Sequence, residues 1–416
     1  MDTYSKAFEE AIAALPQTLL ADLIKNKLDA QGVKLSKKKL TLLVANILKG
    51  EPTNCVSFLD RIKKKLGVAV REATLEFTDE DFKAVERALE EYMERLPQTV
   101  QDVVEQSSTD LLELLKTDWR SEAKRLKSER EAFKKRLHER WGDGISLLRM
   151  LITIAREVGS EIHMSGRKAT DAPLSLSVLT RLHARACQIA EEIVCLLEGG
   201  FADGAMARWR TLHEISAVSA LIHEHGEELA ERYMEHDAIE NARAARQYQK
   251  YHGRLGVDAI AADEIQEIEE RAKALKDKYG KEFGSSNGWA AKHLGIVEPK
   301  IDQLIAAAKI DHLLPYYKLA SHNVHANPRG IFFKLGIISE AEILLAGPSN
   351  AGLTEPGHNA AISLMQITSA VALSNPTLDD LVTMTVIRQL VDEVGDALLK
   401  AHQQLERDEA LLGESP

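Results

Sequence analysis

Cysteine is scarce in this chain, with three in 416 residues: Cys55, Cys187 and Cys195. An odd, small number without a CxxC pair builds no disulfide framework. Aromatic residues make up only 5%. Ala, Leu, Glu and Lys are abundant in their place, a composition that favours helices. No long apolar run occurs, so no transmembrane helix is expected. The opening stretch, MDTYSKAFEEAIAALPQ, carries acidic residues and lacks the apolar core and cleavage site of a secretory leader. A cytoplasmic protein is the expectation. Phosphate-cradling GxxxxGK[ST] and GxGxxG loops are missing, and so is HExxH. The net charge of -11 argues against a generic binder of phosphate backbones.

What is present reads as helix throughout. The expected fold class is all-α: a helical-bundle C-terminal core, an N-terminal helical adaptor and a long charged helical arm. Residues 1–77 form the adaptor, with a helix expected from an N-cap at Ser36 to a C-terminal glycine at Gly50. VAVREATLEF, 68–77, is the one β-like piece. KLSKKKL and RIKKKLG make the adaptor locally basic, a solvated face or a docking patch for nucleic acid or an acidic partner. Residues 78–141 form the arm. TDED at its start carries a capping signature, and Pro97 is expected to interrupt it. Leu112, Leu115, Trp119, Ala123, Leu126, Phe133, Leu137 and Trp141 make one apolar stripe. Such a stripe packs against a helix of the same chain or of a second copy. WGDG, 141–144, is the expected boundary, and residues 142–406 form the core, with Gly199-Gly200, Gly226 and Pro328 among its punctuation.

Three polar constellations stand out in the core. PYYKLASHNVHANPRG, 315–330, places Tyr317, Ser321 and His325 at i, i+4 and i+8, on one helix face, with His322 beside them. RWRTLHEI, 208–215, places Arg210, His213 and Glu214 on a face that Ala217 and Leu221 continue as apolar. That pattern suits the rim of a pocket or a plain intrahelical ion pair. ERYMEHDAIENAR, 231–243, aligns Arg232, His236 and Glu240 in one row, with Tyr233 and Asp237 beside it, as a solvated charged face would.

FADGAMARWRTLHE, AERYMEHDAIENAR and YYKLASHNVHANPRG together resemble a bacterial domain-of-unknown-function family (family 5677), over roughly residues 145–340. The resemblance implies an all-helical core in which Arg210, Glu214, Tyr233, His236, Ser321 and His325 converge; His213, from the RWRTLHEI face, is a further candidate for that pocket. It implies no reaction. A bacterial stress or phage-defence setting is what the family suggests.

Several chemistries are compatible with these residues. A binding or effector module needs only the pocket. A metal-independent ribonuclease of the HEPN type needs an arginine and a histidine with four to six residues between them. Arg156–His163, Arg208–His213 and Arg246–His252 qualify, about as many as chance supplies. There Arg208 or Arg210 would hold phosphate, His325 or His213 would move a proton, and Glu214 would orient an imidazole. A metal-dependent hydrolase would draw on His322 and His325, an i, i+3 pair. The Glu-x-x-His spacing of Glu355 to His358 spans Pro356-Gly357 and reads as a loop. Cys187 and Cys195, eight apart, read as core residues of one helix face. No cofactor is expected. The expected partners are a second copy or another protein through the arm, and nucleic acid through the basic N-terminal region; no membrane is expected.

Overall fold

The computed structural model describes residues 3–49, 63–67, 74–168, 173–338, 344–374 and 376–413. Among the described residues there are thirteen α-helices and no strand. Residues 68–73 of the β-like piece, Cys55 and Gly50 lie outside them; residues 74–78 are irregular.

The chain divides into two compact units, Met1–Lys124 and Arg125–Pro416. In the first, α1 (Thr3–Ala30) and α2 (Lys37–Leu48) close a small core of Ile24, Leu28, Leu43 and Val44. Ser36 holds the extended backbone of an N-cap, but its side chain makes no capping bond. Helix α3 (Asp79–Lys168) starts on the capping signature: the Thr78 amide and hydroxyl both donate to Asp81 Oδ2, at 2.7 and 3.0 Å.

Helix α3 continues through Pro97 and through WGDG, so neither ends an element. The division into units falls at Lys124/Arg125 instead. The glycines of WGDG serve packing rather than a turn. A Cβ on Gly144 would lie 2.6 Å from Leu398 Cδ2, so the missing side chain lets the last helix approach. The apolar stripe changes environment along its length. Phe133, Leu137 and Trp141 pack in the core of the second unit, whereas Leu112, Leu115 and Trp119 are exposed.

The second unit is a bundle. Helix α4 (Leu174–Glu198) pairs with α5 (Ala202–Glu235), and α12 (Thr354–Ala372) covers both. Helix α13 (Leu378–Gly413) packs on α12. Between α5 and α12 run α6 (Asp237–Leu255), α7 (Ala262–Tyr279), the short α8 (Ala291–Leu294) and α9 (Ile301–Ala307), α10 (Leu314–Val324) and α11 (Arg329–Phe332). Trp209 at the centre is fully buried, and its indole N–H donates to Ser363 Oγ at 2.9 Å. Trp141 does the same to Asn350 Oδ1 at 2.9 Å. Both indoles thus meet the requirement that buried polar atoms find partners.

Gly226 breaks the course of α5 with φ 66° and ψ -142°, a conformation open only to glycine. Cys195 is exposed while Cys187 is buried. Of the two, only Cys187 is a core residue.

Candidate functional site

Helix α10 opens with Pro315 in its first turn, where a missing N–H costs nothing. It lies on α5 and buries Tyr317 there. The Tyr317 hydroxyl donates to Glu214 Oε1 at 2.6 Å. The Arg210 Nε–H is shared between Glu214 Oε1, at 3.1 Å, and the Tyr317 oxygen, at 2.9 Å. The guanidinium also stands 4.8 Å over the Tyr317 ring. Its Nη1 reaches His325 Nε2 at 3.3 Å. A guanidinium only donates, so His325 accepts on Nε2 and its ring proton sits on Nδ1. Two side chains of α5, one of α10 and one just past its end, 107 and 115 residues along the chain from Arg210, therefore form one network.

Burial, then the neighbouring Glu214 carboxylate, holds the Tyr317 phenol well above its usual range. Burial alone would lower Arg210, but its bond to Tyr317 and the charge of Glu214 outweigh that and raise it. The Arg210–Glu214 pair is half-buried, with side chains 21% and 35% exposed. His325 is exposed.

The remaining expected members are placed differently. Ser321 Oγ donates back to the Tyr317 carbonyl at 2.8 Å, within its own helix. His213 lies beneath the network, its ring 5.1 Å from Trp209 and 6.0 Å from Tyr317. It is fully buried, neither ring nitrogen has a hydrogen-bond partner, and burial pulls its pKa down to about 4.

His236 belongs to a second cluster. Nε2 donates to the Ser285 carbonyl at 2.9 Å, and the ring meets Phe283 edge-on at 5.2 Å. Burial lowers its pKa. Arg232 is buried there too, donating to the Trp289 carbonyl at 3.0 Å and lying over the Tyr279 ring at 4.7 Å. Tyr233 packs edge-on against Trp289 at 5.1 Å. Among the described contacts none joins His236 or Tyr233 to Arg210 or Glu214; of the expected solvated face, Arg232 and His236 are buried while Asp237 and Glu240 are exposed. A wheel drawn along an unbroken helix fails here because Gly226 redirects the chain and His236 itself separates α5 from α6.

His322 and His325 do not form the i, i+3 pair, because α10 ends at Val324 and His325 takes an extended backbone. Among the described residues no three His, Cys, Asp or Glu side chains gather closely enough to hold a metal ion. The Arg–His spacings diverge as well. Arg208 pairs with Glu192, five steps away on the wheel from the buried His213. Arg246 pairs with Glu269 at 2.5 Å, and His252 Nδ1 faces the Val257 carbonyl at 3.3 Å. Glu355 and His358 lie in the first turn of α12, not in a loop; Pro356 is tolerated in that turn as Pro315 is in α10. With Asp392 and Asp396 of α13 they line a cavity of about 490 Å³. Burial lowers the His358 pKa, against the pull of those two aspartates.

One functional-looking anchor was not apparent from sequence. Asp203 Oδ1, at the start of α5, accepts from Asn323 Nδ2 at 3.0 Å and from the Leu335 amide at 3.2 Å. It ties Asn323, inside ASHNVHANPRG, and Leu335, five residues past it, to the bundle. Its only sequence signal is an acid in a first helical turn, which is ordinary.

No helix among the described residues is long and apolar enough to cross a membrane. No curated protein and no solved structure matches the chain. Residues 176–341, which hold Arg210, Glu214, Tyr317 and His325, match the model of a family of unknown function, DUF5677.

Proposed function

We propose that the chain is a helical binding or effector protein that recognises an anionic group at the Arg210–His325 edge. The observation that carries this is the sharing of Glu214 Oε1 between the Tyr317 hydroxyl and Arg210 Nε. That oxygen holds the arginine in place. Arg210 Nη2 and His325 Nδ1 have no partner among the described residues, and both donate. Two fixed donors beside a positive charge suit a phosphate or carboxylate oxygen. The proposal includes a cytoplasmic setting, a bacterial stress or phage-defence role, and assembly of copies through the exposed Leu112, Leu115 and Trp119 of α3.

The second reading is a metal-independent ribonuclease. It draws support from the 3.3 Å approach of Arg210 to His325. In that reaction His325 Nε2 gives up its bond from Arg210 and takes the ribose 2′-hydroxyl proton, the 2′-oxygen bonds to phosphorus, and the 5′-oxygen leaves with a proton taken from water. Glu214 does not orient an imidazole, which counts against it. The metal-dependent reading has no gathering of donors to support it.

One experiment separates these. Wild type, Arg210→Ala and His325→Ala are each incubated with total RNA, and binding and cleavage are read together, with circular dichroism to confirm folding. Retention without cleavage that both variants lose supports recognition. Cleavage that both variants lose establishes the ribonuclease. RNA neither held nor cut, with phosphate and acidic peptides also unbound, overturns both.

A further inference from the structure

A cavity of about 550 Å³ lies away from the Arg210 network, between α3 and α4 of the second unit. That is inside the range of roughly 300–1,000 Å³ typical of small-molecule sites. Two helical rows line it. On α3, Ile152, Arg156, Gly159 and His163 recur at steps of four, three and four; on α4, Ser177, Arg181, Ala184, Gln188 and Glu191 do likewise. Its walls are mainly apolar, and its polar groups sit in two places.

The first is the mouth, which is cationic. Among the described residues lining it Glu191 is the one acid, and it is already engaged by Arg149 at 3.3 Å and Arg156 at 4.0 Å. Arg181 has no carboxylate partner among the described residues and is exposed. The unbalanced charge at the mouth is therefore positive.

The second is the deep end. Thr368 Oγ1 donates to the Leu364 carbonyl at 2.8 Å, so at 3.1 Å from His183 Nε2 it can only accept. His183 thus carries its proton on Nε2 and turns a lone pair, on Nδ1, toward α3. Among the described residues only the Cys187 thiol, at 3.8 Å, approaches it. Gly159 makes room: a Cβ there would lie 2.4 Å from that nitrogen. Burial raises the Cys187 thiol to about 11, so it stays protonated and acts as apolar wall, not nucleophile.

A site with a positive mouth, an apolar barrel and a neutral floor selects a molecule with the inverse pattern. We infer that the α3–α4 cavity binds a small amphipathic carboxylic acid, its carboxylate on Arg181 and its apolar body against Ile152, Gly159 and Ala184. Bidentate carboxylate recognition is the geometry that a guanidinium favours. This site is independent of the Arg210 edge and of what that edge recognises.

The test is calorimetric titration of the full-length protein with octanoate, octanol and octylamine. Octanoate should bind about tenfold or more tighter than octanol, and octylamine least, because the charged contact is worth at least about a factor of ten. Arg181→Glu should reverse the preference between octanoate and octylamine. Ala184→Trp and Gln188→Trp, both at exposed helical positions, should abolish binding by filling the barrel without disturbing the fold. Arg210→Ala should leave octanoate binding unchanged. Equal affinity for octanoate and octanol, binding that survives both tryptophans, or no heat with any of the three ligands would overturn the inference.

Discussion

A leucine in place of His213 should make the protein more stable. Both ring nitrogens are buried without partners, and each such group costs about 1–3 kcal/mol of desolvation that nothing returns. Leucine fills a similar volume and keeps contact with Trp209, so the gain at neutral pH should be about 2 kcal/mol. The pH dependence sharpens this. Burial lowers the His213 pKa from 6.5 to about 4. For a base with a depressed folded value, the unfolded chain binds more protons between those two values. Stability is therefore intact above pH 6.5 and is lost as pH falls toward 4. The loss from this residue is about 2 kcal/mol by about pH 5. His183 shifts the same way, also to about 4 from burial, and the leucine variant keeps that part. Urea denaturation followed by circular dichroism, at fixed ionic strength, reads both numbers. The variant's advantage should about double between neutral pH and about pH 5. A variant less stable than wild type at neutral pH, or an advantage that does not grow on acidification, refutes the reasoning.

Other outcomes follow from packing and hydrogen bonding. Tyr317→Phe removes the hydroxyl shared by Arg210 and Glu214 and should cost about 1–2 kcal/mol in urea denaturation, while the α10 helix stays in place. Gly144→Ala puts a Cβ 2.6 Å from Leu398 and should cost about 1–3 kcal/mol, with Leu398→Ala in the same chain recovering part of the loss. Leu115→Lys with Trp119→Lys should lower the mass found by light scattering if copies associate through α3. An unchanged mass removes that surface from assembly.

Local spacing made part of this molecule legible. Arg210 and Glu214 meet because i and i+4 always meet on a helix, and Tyr317 was marked by its place on a polar face. That this face would dock on Arg210 depended on the resemblance, not on periodicity. The charged row around His236 misled for two reasons. Gly226 bends the chain before it, and the partners of Arg232 and His236 are backbone carbonyls, which every residue has and no letter of the sequence marks. WGDG looked like a boundary because glycine pairs usually signal turns. Here the missing side chains answer a bulky leucine more than 250 positions away, a demand that local reading cannot register. Glu355 and His358 looked like a loop because proline and glycine lie between them, yet the first turn of a helix accepts both.

Gly226 also carries a consequence for how evolution can alter this chain. No atom lies within 4 Å of where a side chain would begin, so crowding forbids nothing there; handedness does. An L-amino acid at this joint would have to straighten the rod. Arg210 and Arg232 would then swing relative to each other, and the segment could not serve both the tyrosine on one side and the carbonyls on the other. One achiral residue lets a single stretch of helix point two arginines at two unrelated destinations.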